Sequence, residues 1–218
     1  FYSLALLSEP NDDLCGKYTV GGYFVLGLVQ NHPSYYYGLR RFPTARIYCT
    51  GPNGNPHSPL TFRHANADCN TDINTIGAYP RGQIGTNVCD QIHNLSEIWS
   101  AALWEIRGAL LTQHGVVEGN RRVLQYVTDA MKISPLNPTF LQERDAIIAA
   151  ASASNPNDVG LIREGFRRRG MGFYASIQNI GTGANTTAVT ESFDNPNVQI
   201  IEPFSASDST GDNDGIIE

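Results

Sequence analysis

A chain of 218 residues, 41% hydrophobic and 17% charged, has the composition of a globular protein and the length to bury one good core. Its formal net charge is −6 and its pI is near 5.3, so the field around it is negative. The basic pair Arg40 and Arg41 and the run Arg167, Arg168 and Arg169 are too short to reverse that field, which argues against nucleic acid as a partner.

Phe1 to Leu7 is an apolar helical segment with no Ser, Thr, Asp or Asn before it, and the missing cap leads us to expect that the helix begins upstream. Residues 10–90 are rich in turn formers, with one helix expected at about 18–30 among long loops. All four cysteines (Cys15, Cys49, Cys69 and Cys89) fall here, an even count in a loop-rich region that reads as two disulfides and an oxidising compartment. Of the three possible connectivities, the sequence separation favours Cys49–Cys69 with Cys15–Cys89. A metal site is the competing reading, since His57 and His64 lie between Cys49 and Cys69, but that spacing matches no familiar zinc pattern.

From Cys89 the period becomes helical. Leu95, Ile98, Trp99, Ala102, Leu103, Ile106 and Leu110 make one apolar stripe, and His114-Gly115 ends the helix. A second helix is predicted from about Asn120 to Lys132, with Val123, Val127, Ala130 and Met131 on its buried face. Thr139 caps a third helix carrying Phe140, Ile147 and Ile148, and Asn155-Pro156 breaks it. A fourth occupies about 157–168 and ends at Gly170, beyond which the chain reads as irregular or short strands to Ile201. Sequons stand at Asn94 and Asn185, of which only the second reads as exposed. Asp208, Asp212, Asp214 and Glu218 partly resemble a calcium loop, and a solvated linker towards a further module is the plainer reading of residues 201–218. No apolar run is long enough to span a membrane.

Pattern alone stops at a secreted, disulfide-bonded helical domain. No H-E-x-x-H, Walker loop, G-x-S-x-G or G-x-G-x-x-G occurs, and His32, His57, His64, His93 and His114 are scattered.

Four segments carry a resemblance further. The run Ile92 to Ile106, with His93, Trp99, Leu103, Trp104 and Glu105, resembles the His-containing helix start of fungalysin-type metallopeptidases. Asn137-Pro138-Thr139-Phe140 with Arg144-Asp145-Ala146-Ile147 is similar to that family's Asn-Pro-x-Phe and Arg-Asp-Ala-Ile segment. Phe166 to Gly172 resembles its Phe-Ala-x-Arg-Gly-Met/Leu-Gly, and Gly38 to Pro43 its Gly-Ile-Arg-x-Tyr-Pro. The pieces occur in family order over roughly residues 1–180. Ser96, Ala149 and Ala151 depart from the family pattern.

The resemblance implies a mainly α fold: the C-terminal helical lobe, residues 1–200, of a thermolysin-like zinc endopeptidase, with long disulfide-bonded loops in its first 90 residues. It places H-E-x-x-H and Glu-Gly-Trp-x-Asp immediately before Phe1, so the zinc ligands would lie on an N-terminal half of the same protein. This chain, inactive alone, would supply His93 as a hydrogen-bond donor to the tetrahedral oxyanion, positioned near a helix start and close behind Asp90. Arg40 would bind a backbone carbonyl of the peptide substrate or, equally, brace a loop through an ion pair. A different class of function, a structural or adhesive module of a pseudo-peptidase, fits the same long loops and the same possible calcium linker.

Overall fold

Four long helices carry the core of the computed structural model, which describes residues 1–7, 9–28, 33–51, 54–66, 89–179 and 187–195. In chain order the elements are α1 (Tyr2–Leu6), α2 (Ser34–Tyr37), a 3-10 turn (Phe62–Ala65), α3 (Ile92–His114), α4 (Val116–Ile133) and α5 (Phe140–Ser154). A second 3-10 turn (Pro156–Asp158), α6 (Val159–Arg168) and the strands β1 (Ser176–Asn179) and β2 (Thr187–Thr190) follow. The fold is therefore mainly α, and β1 and β2 form an antiparallel pair in register from Ser176 opposite Thr190 to Asn179 opposite Thr187.

Local chemistry sets the helix ends. The Thr139 hydroxyl accepts from Gln142 N, while the Gln142 side chain accepts from Thr139 N, a reciprocal cap that starts α5 where expected. Gly115, at φ 77°, ends α3 and leads straight into α4, which starts at Val116, a turn earlier than the apolar spacing suggested. Helix α3 packs against α4 and α6, and α4 against α5, so α3 runs through the middle. The stripe Ile98, Ala102, Leu103, Ile106 and Leu110 is buried, each large side chain contributing roughly 1.5–3 kcal/mol. A Cβ on Gly165 would stand 2.6 Å from Ile106 Cγ1 and 2.9 Å from Ile106 N, so glycine is what lets α6 cross α3 at backbone contact.

Three expectations need correction. Residues 19–28 form turns, not a helix: Gly21 and Gly27 have φ of 68° and 78°, and mixed three- and four-residue hydrogen bonds replace a regular ladder. Met131 is 58% exposed, and Tyr126 takes its place on the buried face of α4. The disulfide formed by Cys49 is to Cys15, not Cys69. Its cause is tertiary: Tyr18 and Thr44 pair antiparallel through reciprocal bonds of 2.9 and 2.8 Å, which brings Cys15 beside Cys49 across 34 residues. Cys89 is also disulfide-bonded, and Cys69 lies outside the described residues.

Candidate active site

Helix α3 is buried on nearly every side in its middle, and two polar residues, one on the helix and one packed against it, explain why. Glu105 and Arg169 are both fully buried and pair at 2.9 Å. The Arg169 guanidinium also donates to the carbonyls of Ser58 and Leu60, each at 2.8 Å, and of Ala45 at 2.6 Å. Glu105 accepts from Ile47 N at 2.5 Å and faces Arg46 Nε at 3.5 Å. Burial pushes the Arg169 guanidinium down, and the Glu105 carboxylate opposes that push. One Arg and one Glu thus tie the loop segment 45–60 to the central helix. The other motif residues brace as well: Arg144 Nη1 donates to Met171 O at 3.1 Å and Gly172 O at 2.7 Å, and Phe140 stacks on Trp99 with ring centres 5.3 Å apart.

At the other end of α3 a second buried carboxylate gathers partners. Asp158 accepts from Tyr126 at 2.6 Å and Arg122 at 2.9 Å, and His114 Nε2 lies 2.7 Å from it. Burial raises the Asp158 carboxyl, but hydrogen bonds from Tyr126, His114 and Arg122 outweigh it and hold the group below its ordinary range. Burial and the bond to Asp158 push the Tyr126 phenol up to about 12. His114 is thus part of a structural knot, far more engaged than its place beside a terminal glycine suggests.

The exposed N-terminal turn of α3 carries His93. Gln91 caps the helix by accepting from His93 N at 2.7 Å, and Ser96 Oγ donates to His93 O at 2.7 Å. Asp90 accepts from Thr187 N and Oγ1, each at 3.3 Å, which ties the helix start to β2. The His93 side chain is exposed. Residues three, four and seven positions on, Ser96, Glu97 and Ser100, share its face of the helix and form one wall of a cavity of about 260 Å³. Phe1, Val20, Phe42, Pro43 and Leu60 supply apolar lining to that cavity, and Arg40 joins them. Arg40 thus shares one cavity with Ser96, Glu97 and Ser100 of α3, and His93, one turn before them, is not among the lining residues.

The segment bearing Arg40 is turned sharply. Gly38 has φ of 57°, and a Cβ there would run into the carbonyl oxygen of Val20, so only glycine fits. Two residues on, the adjacent arginines part company. Arg41 is 0% exposed: its backbone N donates to Glu97 Oε1 at 2.9 Å, Nε to Glu97 Oε2 at 2.8 Å, and Nη2 to Asn94 O at 3.2 Å. The Arg40 guanidinium is half-buried and has no hydrogen-bond partner among the described residues. The bracing ion pair in this turn belongs to Arg41. Burial pushes the Glu97 carboxyl up and the Arg41 guanidinium beside it pulls the other way, leaving the net direction upward. Sequence reasoning missed Arg41, Glu97, Ser96 and Ser100, although helical spacing from His93 was the available signal for the last three.

A metallopeptidase relationship implies a bound metal, typically zinc. Among the described residues no three His, Cys, Asp or Glu side chains converge, so the described residues do not fit such a site. Asp208, Asp212, Asp214 and Glu218 lie outside the described residues. No helix among the described residues is long and apolar enough to cross a membrane.

Comparison with known proteins agrees with the motifs. The fungalysin metallopeptidase (M36) family profile matches residues 53–175. "Extracellular metalloproteinase 3" of Arthroderma gypseum is 26% identical over 200 residues, covering 85% of this chain and 26% of that protein. "Extracellular metalloproteinase MEP" of Neosartorya fischeri is 26% identical over 199 residues, covering 84% and 26%. "Extracellular metalloproteinase 1" of Trichophyton tonsurans is 28% identical over 200 residues, covering 85% and 26%. This chain spans about a quarter of the length of these relatives. With more than half of its length matched by the profile and its motif residues built into the core, the chain belongs to the fungalysin metallopeptidase family.

Proposed function

We propose that this chain, over residues 1–200, is the C-terminal helical lobe of a secreted zinc-dependent endopeptidase, with His93 as its transition-state donor and Arg40 as a substrate contact. The observation that carries the reading is the shared face of α3: His93 stands one turn before Ser96 and Glu97, which line the cavity that also holds Arg40. Extracellular location fits the disulfide Cys15–Cys49 and the names of the relatives.

Peptide-bond hydrolysis passes through a tetrahedral intermediate whose oxygen gains negative charge. A ring N–H of His93, exposed at the helix start, donates to that oxygen most strongly when the charge is greatest, which lowers the barrier more than it tightens ground-state binding. Arg40, whose guanidinium makes no hydrogen bond among the described residues though its charge is felt by Glu97, donates to a backbone carbonyl of the bound peptide beside the cut and fixes its register. The apolar lining from Val20, Phe42 and Leu60 lowers the local polarity beside Arg40 and strengthens its hydrogen bond. The metal would be held by another part of the protein, and the isolated chain would be inactive.

The test is kcat with metal occupancy for His93→Ala, His93→Gln and His114→Ala in the full-length protein. Loss of one oxyanion donor costs about 10²–10³ in rate, so His93→Ala falls by that much at unchanged metal content. His93→Gln recovers part of the loss, and His114→Ala keeps its turnover while losing stability. Full activity in His93→Ala overturns the reading and returns His93 to a helix-start residue, as a non-catalytic module would have it.

A further inference from the structure

Two arginines in sequence do opposite things beside α3, and this division suggests a device. Arg41 is fully buried and joined to α3 at two levels: through its N and Nε to the Glu97 carboxylate, and through Nη2 to the carbonyl of Asn94. Asn94 is the neighbour of His93, and Glu97 is one turn beyond it on the same face. Arg41 is equally the neighbour of Arg40. One pair of side chains therefore links the backbone of the turn that carries Arg40 to the backbone of the turn that carries His93. Gly38 fixes the entry into that turn, since only a residue without Cβ clears Val20.

A burial so complete is costly for a pair that serves stability alone. Replacing a buried ion pair by apolar side chains of similar volume is commonly neutral or stabilising, so net stability is a weak account of this pair. The Arg41 side chain is not even saturated: Nη1 is buried with no hydrogen-bond partner among the described residues. What the pair does supply is direction. A guanidinium bonded through Nε to a carboxylate and through Nη2 to a carbonyl one turn away allows little rotation, whereas packed hydrocarbon allows sliding.

We infer that Arg41 and Glu97 are positioning residues, a clamp that holds Arg40, in the cavity, and His93, on the exposed turn of α3 beside it, at a fixed separation so that one peptide meets both. The inference rests on the roles given to His93 and Arg40 above. The clamp touches no substrate and acts only through the two residues it holds. Its effect is on alignment: a misplacement of about 1 Å at a reacting group costs on the order of 10²-fold in rate.

The experiment is a double-mutant cycle in the full-length protein, with kcat and KM measured per folded molecule well below the unfolding temperature of every variant. Glu97→Gln keeps the shape and one acceptor while removing the charge; Arg41→Lys keeps the charge and loses the planar pair of donors that reaches both Glu97 and Asn94. Both are expected to lower kcat/KM by about 10- to 100-fold, with kcat falling and KM rising together because both contacts are displaced. Combined with His93→Ala, Glu97→Gln is expected to add little further loss in kcat, since the group it positions is gone. If Glu97→Gln and Arg41→Lys lower stability but leave kcat and KM of the folded enzyme unchanged, the clamp is structural and the inference fails while the role of His93 stands. Independent, multiplicative losses in the cycle overturn it in the same way. If His93→Ala is itself harmless, the role of His93 fails and the clamp falls with it. Should Glu97→Gln not fold, Arg41→Lys in the same cycle distinguishes the same outcomes.

Discussion

Arg169→Met is the sharpest perturbation of the fold, because it removes one partner of the most buried charge pair and nearly preserves volume. The wild-type guanidinium satisfies the carbonyls of Ala45, Ser58 and Leu60 and pairs with Glu105 at 2.9 Å, with both side chains fully buried. Methionine leaves three carbonyls without that donor and leaves Glu105 with Ile47 N and the more distant Arg46 at 3.5 Å. Breaking a buried pair from one side costs about 3–5 kcal/mol, and at about 1.36 kcal/mol per tenfold this is roughly two to four decades in an opening equilibrium. The assay is amide hydrogen exchange over α3 and segment 45–60 in the full-length protein. Exchange is expected to accelerate by about 10²–10⁴-fold there. Acceleration below about tenfold would show that apolar packing alone holds the segment and that Arg169 is not its tether.

Asp158 and Glu164 are both held low, Glu164 to about 2 by Arg167 and Arg168 against a smaller effect of burial. A carboxyl depressed on folding stabilises above its unfolded pKa and loses that contribution as pH falls, so thermal stability should drop between about pH 5 and pH 2. Asp158→Asn should be less stable at pH 7 and show a flatter profile across that window; an unchanged slope would dismiss the knot with Tyr126, His114 and Arg122. Replacing Cys15 and Cys49 by alanine opens a link across 34 residues, worth about 4 kcal/mol in the chain-entropy treatment. Non-reducing peptide mapping should recover Cys15 joined to Cys49, and a peptide joining Cys49 to Cys69 would contradict the fold around Tyr18 and Thr44.

Local signals in the sequence proved readable where neighbours in sequence settle the outcome. Thr139 with Gln142 starts α5, the apolar stripe of α3 fills the core, and Asn155-Pro156 ends a helix, all from spacing and side-chain chemistry. Long-range partners were not readable. Trp104, Glu105 and Arg107 lie outside the stripe and are buried all the same: Phe1 and Tyr18 meet Trp104, Asn120 of α4 meets Arg107, and Arg169 meets Glu105, while nothing near residue 105 announces Arg46 or Arg169. The disulfide failed for the same reason, since sequence separation favoured a nearer cysteine than the Tyr18–Thr44 pairing does. The roles proposed for His93 and Arg40 come from resemblance and not from pattern. Nothing in two successive arginines tells which one is buried; the approach of Glu97 to the backbone N and Nε of Arg41 decides it.

The role of His93 is tested most directly by comparing catalysis with transition-state affinity. A peptide carrying a tetrahedral phosphinyl group at the scissile position mimics the charged intermediate, and its Ki is measured beside kcat/KM for wild type, His93→Ala and His93→Gln at equal metal content. If His93 donates to the oxyanion, Ki and kcat/KM worsen in parallel, by about 10²–10³ for alanine and less for glutamine, while affinity for a planar substrate-like peptide barely changes. Unchanged Ki in His93→Ala, or an equal loss of affinity for the planar and tetrahedral ligands, would contradict the assignment.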